Sequence, residues 1–131
     1  VGFNYRMTNL QAAIGCAQLE RIDEILKNRM DLEKKYRDYF ADKDFIWPSD
    51  RDSKRKRVVW LVSCLIEKRD KFIKDMRSKK VDIRPFFIPM GEMDIYKEYN
   101  FSSKNSSQIS ADGIKLPTLV DREIDKFLSD G

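Results

Sequence analysis

The sequence predicts a mixed α/β (α+β) fold, in which a long N-terminal helix precedes a small sheet covered by helices. Apolar residues recur at helical spacing through the first 40 residues, and residues 58–66 form a nearly continuous apolar, β-branched run. Shorter strand-like and helix-like segments alternate after that run, and such alternation is typical of helices layered on a sheet. We therefore divide the 131 residues into a helical segment, 1–40, and a small α/β domain, 41–131.

The N-terminal helix is predicted to begin at Thr8 and to continue to about Phe40. Thr8 and Gln11 have the spacing of a capping box. Residues 12–17 are small or apolar on every side of the helix, whereas the later apolar positions narrow to one stripe: Leu19, Ile22, Leu26, Met30, Tyr36 and Phe40. A helix that is apolar all round is buried on several sides, and a chain of this length has little material to bury it. We therefore expect the start of this helix to be covered from outside the domain.

The remaining predicted elements are short. Residues 45–48 are extended and residues 49–57 form a polar loop. The apolar run 58–66 predicts a central strand, and residues 68–79 predict an amphipathic helix with Phe72, Ile73 and Met76 inward. The later segments are, in order, a strand at 81–84 broken by Pro85, a helical turn at 93–99, a Ser/Asn-rich loop, a brief helix at 109–113, a strand at 114–116 and a final helix capped by Asp121.

The composition excludes several kinds of chemistry. The chain has no histidine, which excludes histidine triads, histidine metal sites and histidine acid–base catalysis within it, and we predict no metal site. No apolar run is long enough to cross a bilayer, so no membrane partner is expected. Cys16 and Cys64 are predicted to be buried, reduced hydrophobes, which fits a cytoplasmic protein.

The charge pattern does not favour nucleic acid as a partner. Lys and Arg number 26 against 22 Asp and Glu, giving a net charge of +4 with the two signs interspersed. The basic run at 54–57 has the composition of a phosphate or nucleic-acid site. However, acidic residues precede it and no aromatic residue is interleaved, so we interpret it as a solvated loop.

Two other segments have residue types suited to an anionic ligand. Arg84, at a strand end beside Phe86 and Phe87, suits an anion that carries a flat ring, although a buried aromatic pair with a surface arginine gives the same pattern. Asn4 and Arg6 come just before a helix N-terminus, where backbone N–H groups favour an anion. A simple capping turn explains that segment equally well.

Residues 2–29, GFNYRMTNLQAAIGCAQLERIDEILKNR, resemble a segment of the DegT/DnrJ/EryC1/StrS aminotransferases. The resemblance continues through VVWLVSCLIEKRDKFIKDMRSKKVDIRPFFIPM, MDIYKEY and ADGIKLPT, so it covers nearly the whole chain in order. Members of this family are pyridoxal 5'-phosphate (PLP) enzymes that aminate keto sugars attached to nucleotides. The RPFF and MDIYK segments are similar to the perosamine-synthase-like branch.

The resemblance implies that this chain is the small C-terminal domain of a fold type I enzyme. The family's large N-terminal domain holds PLP, with its Schiff-base lysine and the aspartate that pairs with the pyridine nitrogen, and neither has a counterpart here. It implies that residues 1–40 link to that domain and to the second subunit of a homodimer. It also implies that this chain contains no catalytic residue and is inactive alone. The parent enzyme would transfer an amino group from glutamate to a nucleotide-linked keto sugar, such as a 4-keto-6-deoxyhexose.

The resemblance also assigns site residues. Asn4 matches the family asparagine that reaches the PLP phosphate of the neighbouring subunit, and Arg6 belongs to the same segment, with a supporting role.

Arg84, Phe86 and Phe87 match the loop that lines the sugar-nucleotide pocket, and Tyr96 lies beside it. The chain departs from the family pattern at Gly91, where many relatives carry a histidine, and this departure leaves the identity of the sugar open.

One alternative remains at this point. In this alternative, the chain is a non-catalytic α/β module that has kept this scaffold. It recognises a nucleotide sugar or a protein partner through the exposed start of its first helix. Upstream coding sequence for a cofactor domain would argue against this alternative.

Overall fold

A computed structural model describes residues 2–49, 54, 57–99, 101 and 103–118. The predicted final helix from Asp121 lies outside these residues, as does part of the basic run at 54–57. The helices are α1 (Asn9–Glu20), α2 (Ile22–Tyr39), α3 (Arg69–Ser78) and α4 (Lys104–Asp112). The strands are β1 (Phe45–Ile46), β2 (Val62–Ile66), β3 (Arg84–Pro85) and β4 (Gly113–Leu116), and 3₁₀ turns cover Met90–Glu92 and Asp94–Tyr99. This mixture of helices and a small sheet confirms the predicted α/β fold class.

The four strands form one antiparallel sheet in the order β1-β2-β4-β3. β2 is central, as its apolar sequence predicts, but residues 58–61 lie outside it and Trp60 is exposed. The third strand is at 84–85 rather than 81–84, and it includes Pro85. A proline is tolerated there because β3 pairs on one side only, so its missing N–H breaks no ladder on the open edge.

The core lies where α2 and α3 pack on one face of the sheet. Alternate positions of the central strands supply it, since Val62 pairs with Leu116 and Cys64 pairs with Ile114. Ile73 is buried and Phe72 and Met76 pack around it, as predicted for α3. The remaining buried apolar side chains of the cluster are Leu32, Tyr36, Phe40, Val59 and Ile83.

A buried carboxylate joins α2 to the segment before β2. Glu33 is only 3% exposed, and its Oε1 accepts hydrogen bonds from Nε and Nη2 of Arg37 at 3.0 and 2.8 Å. Its Oε2 forms an ion pair with Nη1 of Arg57 at 2.7 Å. The angles of this contact do not meet the geometry of a hydrogen bond, so Oε2 accepts none from the described residues. Arg57, the last residue of the basic run, therefore balances a buried negative charge.

The predicted long N-terminal helix is two helices. Arg21, with φ −109° and ψ 9°, separates α1 from α2. The capping box of Thr8 and Gln11 is present, with the Thr8 N–H donating to Gln11 Oε1 at 2.9 Å. The apolar stripe joins the core only in the second half of α2, because Leu19 and Met30 are 67% and 51% exposed.

No residue of α1 is buried within this chain. Leu10 is 72% exposed and Ile14 is 58% exposed. The prediction that Cys16 is buried is wrong for the chain by itself, since Cys16 is exposed whereas Cys64 is buried. Among the described residues, nothing lies within 4 Å of a Cβ placed at Gly15, so the start of α1 is open on the side of its small residues.

The two thiols are expected to react very differently with iodoacetamide. Burial raises the pKa of Cys64 to about 12, so little of its thiolate forms near neutral pH, whereas Cys16 is open to solvent. In dilute folded protein, mass spectrometry should show modification of Cys16 alone, with Cys64 following only after unfolding in urea. Equal rates at the two cysteines in the folded chain would contradict this packing.

Candidate functional site

Asn4 and Arg6 lie in an extended segment that leads into α1. Both are exposed, and neither makes a hydrogen bond or ion pair with the described part of the chain. The first N–H groups of an α-helix have no intrahelical partner, and here the Thr8 hydroxyl caps only that of Gln11. A carboxamide and a guanidinium beside such N–H groups are a donor set suited to a phosphate.

Arg84 is held at the open edge of the sheet by a neighbouring carboxylate. Its Nε and Nη2 donate to Oδ2 of Asp82 at 3.0 and 2.9 Å. This hydrogen bond raises the pKa of Arg84 and lowers the pKa of Asp82. Sequence reasoning did not single out Asp82, which fixes the direction of the guanidinium.

Phe86 and Phe87 have different environments. Phe86 is half-buried: its N–H donates to the Gly113 carbonyl at 2.9 Å, and a Cβ at Gly113 would lie 2.6 Å from Phe86 Cβ. Phe87 is 51% exposed and meets Phe86 edge-on at 5.3 Å between centroids. Phe87 also stacks on Trp60, at 6.3 Å and 15°, and Lys115 Nζ lies 3.9 Å from its ring centroid. Phe86 thus anchors the loop, and Phe87 presents its ring.

Tyr96 lies half-buried in the second 3₁₀ turn and makes no ring contact within the described residues. Before that turn, a Cβ at Gly91 would overlap the carbonyl oxygen of Phe101 and lie 3.3 Å from Cδ1 of its ring. The close approach of residue 101 therefore requires glycine at this position. The space that a side chain at position 91 would need is filled by backbone, which gives the departure from the family pattern a physical reason.

Five of the six site residues predicted from the sequence fall into two groups. Arg84, Phe86 and Phe87 lie together on β3 and the loop after it. No hydrogen bond, ion pair or ring contact of the described chain joins them to Asn4 and Arg6.

Two residues join the first group without having been predicted from the sequence, Trp60 and Lys115. Their only sequence signal is weak: Trp60 precedes an apolar strand, and Lys115 alternates with Ile114 and Leu116. Sequence alone does not show that residues this far apart meet.

The described residues contain no group of three or more acidic or cysteine side chains placed to hold a metal ion. Among the same residues, no helix is both long and apolar enough to cross a membrane.

Comparison with known proteins matches nearly the whole chain. The profile of the DegT/DnrJ/EryC1/StrS aminotransferase family matches residues 1–126. The GDP-perosamine synthase of Caulobacter vibrioides is 37% identical over 139 aligned positions, which cover 98% of this chain and 38% of that protein. The GDP-perosamine synthase of Vibrio cholerae is 33% identical, covering 90% of this chain and 34% of that protein. The chain therefore spans little more than a third of the length of these relatives.

The fold of the chain also matches solved structures. Helicobacter pylori PseC, an aminotransferase involved in the biosynthesis of pseudoaminic acid, superposes with a TM-score of 0.80 at 19% identity. The superposition covers 99% of this chain and 38% of PseC. The described residues thus have the fold of one part of that protein.

Proposed function

The chain belongs to the DegT/DnrJ/EryC1/StrS aminotransferase family, and we propose that it is the C-terminal part of a PLP-dependent enzyme that aminates a nucleotide-linked keto sugar. The proposed amino donor is glutamate, and the proposed acceptor is a GDP-linked 4-keto-6-deoxyhexose. The observation that carries this proposal is the 37% identity to a GDP-perosamine synthase across 98% of the chain.

The proposed cofactor site uses the donors before α1. Asn4 and Arg6 are exposed, make no bonds within the described chain and lie beside a helix N-terminus, so their chemistry fits the phosphate of PLP. We assign them to the PLP of the partner subunit in a homodimer. When bound, PLP supplies the electron sink that amino transfer requires. The lysine that binds PLP covalently would come from the N-terminal part of the enzyme, so this chain supplies phosphate and substrate contacts only.

The proposed substrate site uses the loop after β3. Phe86 anchors the loop on Gly113, and Arg84 donates two hydrogen bonds to Asp82 at the open sheet edge. Phe87 offers a half-exposed ring beside it, and Tyr96 lies in the following turn. An oriented guanidinium next to aromatic rings can orient an anionic, ring-bearing molecule such as a sugar nucleotide.

The exposed apolar surface of the N-terminal segment supports the remaining part of the proposal. Phe3, Tyr5 and Met7 are 84%, 88% and 73% exposed, and the surface continues along α1 through Leu10 and Ile14. A continuous apolar surface of this kind marks an interaction site. We assign the exposed apolar surface of residues 1–40 to packing on the PLP domain and on a second subunit, while the buried residues of α2 pack in the core of this domain.

The activity is tested on the native protein, captured from its source with an antibody raised against this chain. The captured protein is supplied with PLP, nitrogen-labelled glutamate and a GDP-linked 4-keto-6-deoxyhexose. The proposal expects labelled nitrogen in the product sugar nucleotide. If bound PLP is first removed with hydroxylamine and no PLP is added back, the transfer should be abolished. Absence of label in the product, from protein that retains bound PLP, would overturn the assigned reaction.

The 131-residue chain alone is expected to bind PLP poorly, because it would supply only part of the cofactor shell. Absorbance titration followed by dialysis should leave well below one PLP per chain. Asn4→Ala should change this residual amount of bound PLP little. Tight binding of one PLP per chain would contradict the proposed division of the site and favour an independent binding module.

A further inference from the structure

The hydrogen-bond ladder between β2 and β4 ends at a proline. Its last paired residues are Val62 and Leu116, and Leu116 is followed by Pro117, which has no N–H to donate. If the same register continued for two more residues, Trp60 would stand opposite Thr118. Both residues lie outside the strands, and their carbonyl groups accept no backbone hydrogen bond from the described part of the chain. This end of the sheet therefore depends on side chains for its remaining hydrogen bonds.

One side chain of α2 bridges these two carbonyl groups. Nη1 of the half-buried Arg29 donates to the Trp60 carbonyl at 3.3 Å and to the Thr118 carbonyl at 3.2 Å. A terminal guanidinium nitrogen carries two hydrogens, so it can serve both acceptors. Within the described residues, the backbone of Trp60 makes no other hydrogen bond. Arg29 thus holds the backbone of Trp60 at the point where the sheet does not.

Trp60 links this bridge to the loop after β3. Its side chain is 70% exposed, so it has little packing of its own, although Val59 before it is buried. The indole stacks on Phe87, with 6.3 Å between ring centroids and 15° between planes. Phe87 is itself half-exposed, and its other ring contacts are with Phe86 and Lys115. An exposed ring takes its direction from such neighbours, so a displaced Trp60 would leave Phe87 less restrained.

We propose that Arg29 is a positioning residue for Phe87 and acts through the backbone and the indole of Trp60. The proposal rests on the proposed function, since Phe87 belongs to the proposed substrate loop. Within the described residues, no hydrogen bond, ion pair or ring contact joins Arg29 to that loop, so its effect must pass through Trp60. A ring that is already oriented before binding loses less freedom when the substrate arrives.

The structural part of the proposal is tested by NMR spectroscopy of the 131-residue chain. The unmodified chain should show nuclear Overhauser effects (NOEs) between the ring protons of Trp60 and Phe87. Arg29→Met removes every donor but keeps a side chain of similar length, and it should abolish these NOEs and shift the Trp60 indole N–H signal. Arg29→Lys retains a donor group and should keep the NOEs. Circular dichroism of each variant shows whether the fold is kept.

Tyr36→Phe is the matched control. Tyr36 also lies on α2, and its hydroxyl donates to the Pro117 carbonyl at 3.0 Å, one residue before the Thr118 carbonyl that Arg29 contacts. The substitution therefore removes a hydrogen bond between α2 and the chain after β4 without touching Trp60. The NOEs between Trp60 and Phe87 should be unchanged in this variant.

The functional part is tested by steady-state kinetics of the full-length native enzyme. Arg29→Met should raise KM for the GDP-linked keto sugar about tenfold, the size expected for losing the effect of one hydrogen bond to a charged group. The rate of the glutamate half-reaction, followed by PLP absorbance, should stay the same, because the proposed role of Phe87 concerns the sugar nucleotide alone. Trp60→Ala removes an exposed side chain and should raise KM by a similar factor. The double variant should be no worse than either single variant, since both act through one contact.

Four results would overturn the proposal: NOEs that persist in Arg29→Met, equal loss of the NOEs in Tyr36→Phe, loss of the NOEs in Arg29→Lys as complete as in Arg29→Met, or an unchanged KM in a variant that has lost them. These outcomes are separable from failure of the proposed function. NOEs that depend on Arg29, in a chain whose full-length enzyme transfers no amino group, would keep the link from Arg29 to Phe87 and reject the reaction. Active enzyme whose KM is insensitive to Arg29→Met and Trp60→Ala would do the reverse.

Discussion

Replacing Ile14 with aspartate is expected to turn a self-associating chain into a monomer. Ile14 is 58% exposed on a helix that has no buried residue, and we expect the surface that includes Leu10 and Ala17 to pair with a second copy. Burying an isoleucine stabilises by about 1.5–3 kcal/mol, and a symmetric dimer contains it twice. The dissociation constant of the dimer should therefore rise at least about 100-fold.

Sedimentation equilibrium over a wide range of protein concentration measures this change. Ile95→Asp is the matched control, because Ile95 is 72% exposed but lies in a 3₁₀ turn away from α1. It should leave the association of the chain unchanged. Ile14→Asp should not lower the free energy of unfolding of the monomer, since the side chain has little contact to lose. A monomeric unmodified chain at all concentrations would contradict the pairing of this surface.

Replacing Glu33 with alanine is expected to cost about 3–5 kcal/mol of folding free energy. Its carboxylate is 3% exposed and compensates two partly buried guanidinium groups, those of Arg37 and Arg57. Removing one member of a buried ion pair leaves uncompensated charge, which is costlier than losing the attraction itself. Urea unfolding at one fixed protein concentration should show a large fall in the midpoint.

Glu24→Ala provides the comparison within the same helix. Glu24 also pairs with an arginine, Arg21 at 3.2 Å, but both side chains are more than half exposed. Solvent screens such a pair, so this variant should unfold at the same urea concentration as the unmodified chain. Equal destabilisation by the two substitutions would show that the Glu33 carboxylate does not compensate partly buried charge more strongly than an exposed carboxylate does.

Local signals in the sequence were sufficient for several elements. The capping box of Thr8 and Gln11 marks the start of α1, and the apolar run before α3 marks the central strand. The break at Arg21 has no such signal, because neither glycine nor proline marks it. At the start of α4, by contrast, the sequence carries a signal that predicts the wrong structure. Serine and asparagine favour loops, but here the Ser103 side chain accepts from the Ser106 N–H at 3.5 Å and caps a helix.

The candidate site depends on long-range register, which local patterns do not contain. The RPFF segment is contiguous, so its arginine and aromatic residues were predicted together from the sequence. Trp60 and Lys115 are 55 positions apart and meet at Phe87 only because β2, β4 and β3 are neighbours in the sheet. A shift of one residue in the β2–β4 register would move Lys115 to the core face.

The mass of the native polypeptide tests most directly whether these residues act as the C-terminal part of an aminotransferase. An antibody against this chain, combined with intact mass spectrometry of the captured protein, gives that mass. Because the chain covers 38% and 34% of the two curated relatives, we expect a single polypeptide roughly two and a half to three times 15.5 kDa. A native species of 15.5 kDa would contradict the proposed enzyme and leave a binding module with the fold of an aminotransferase domain.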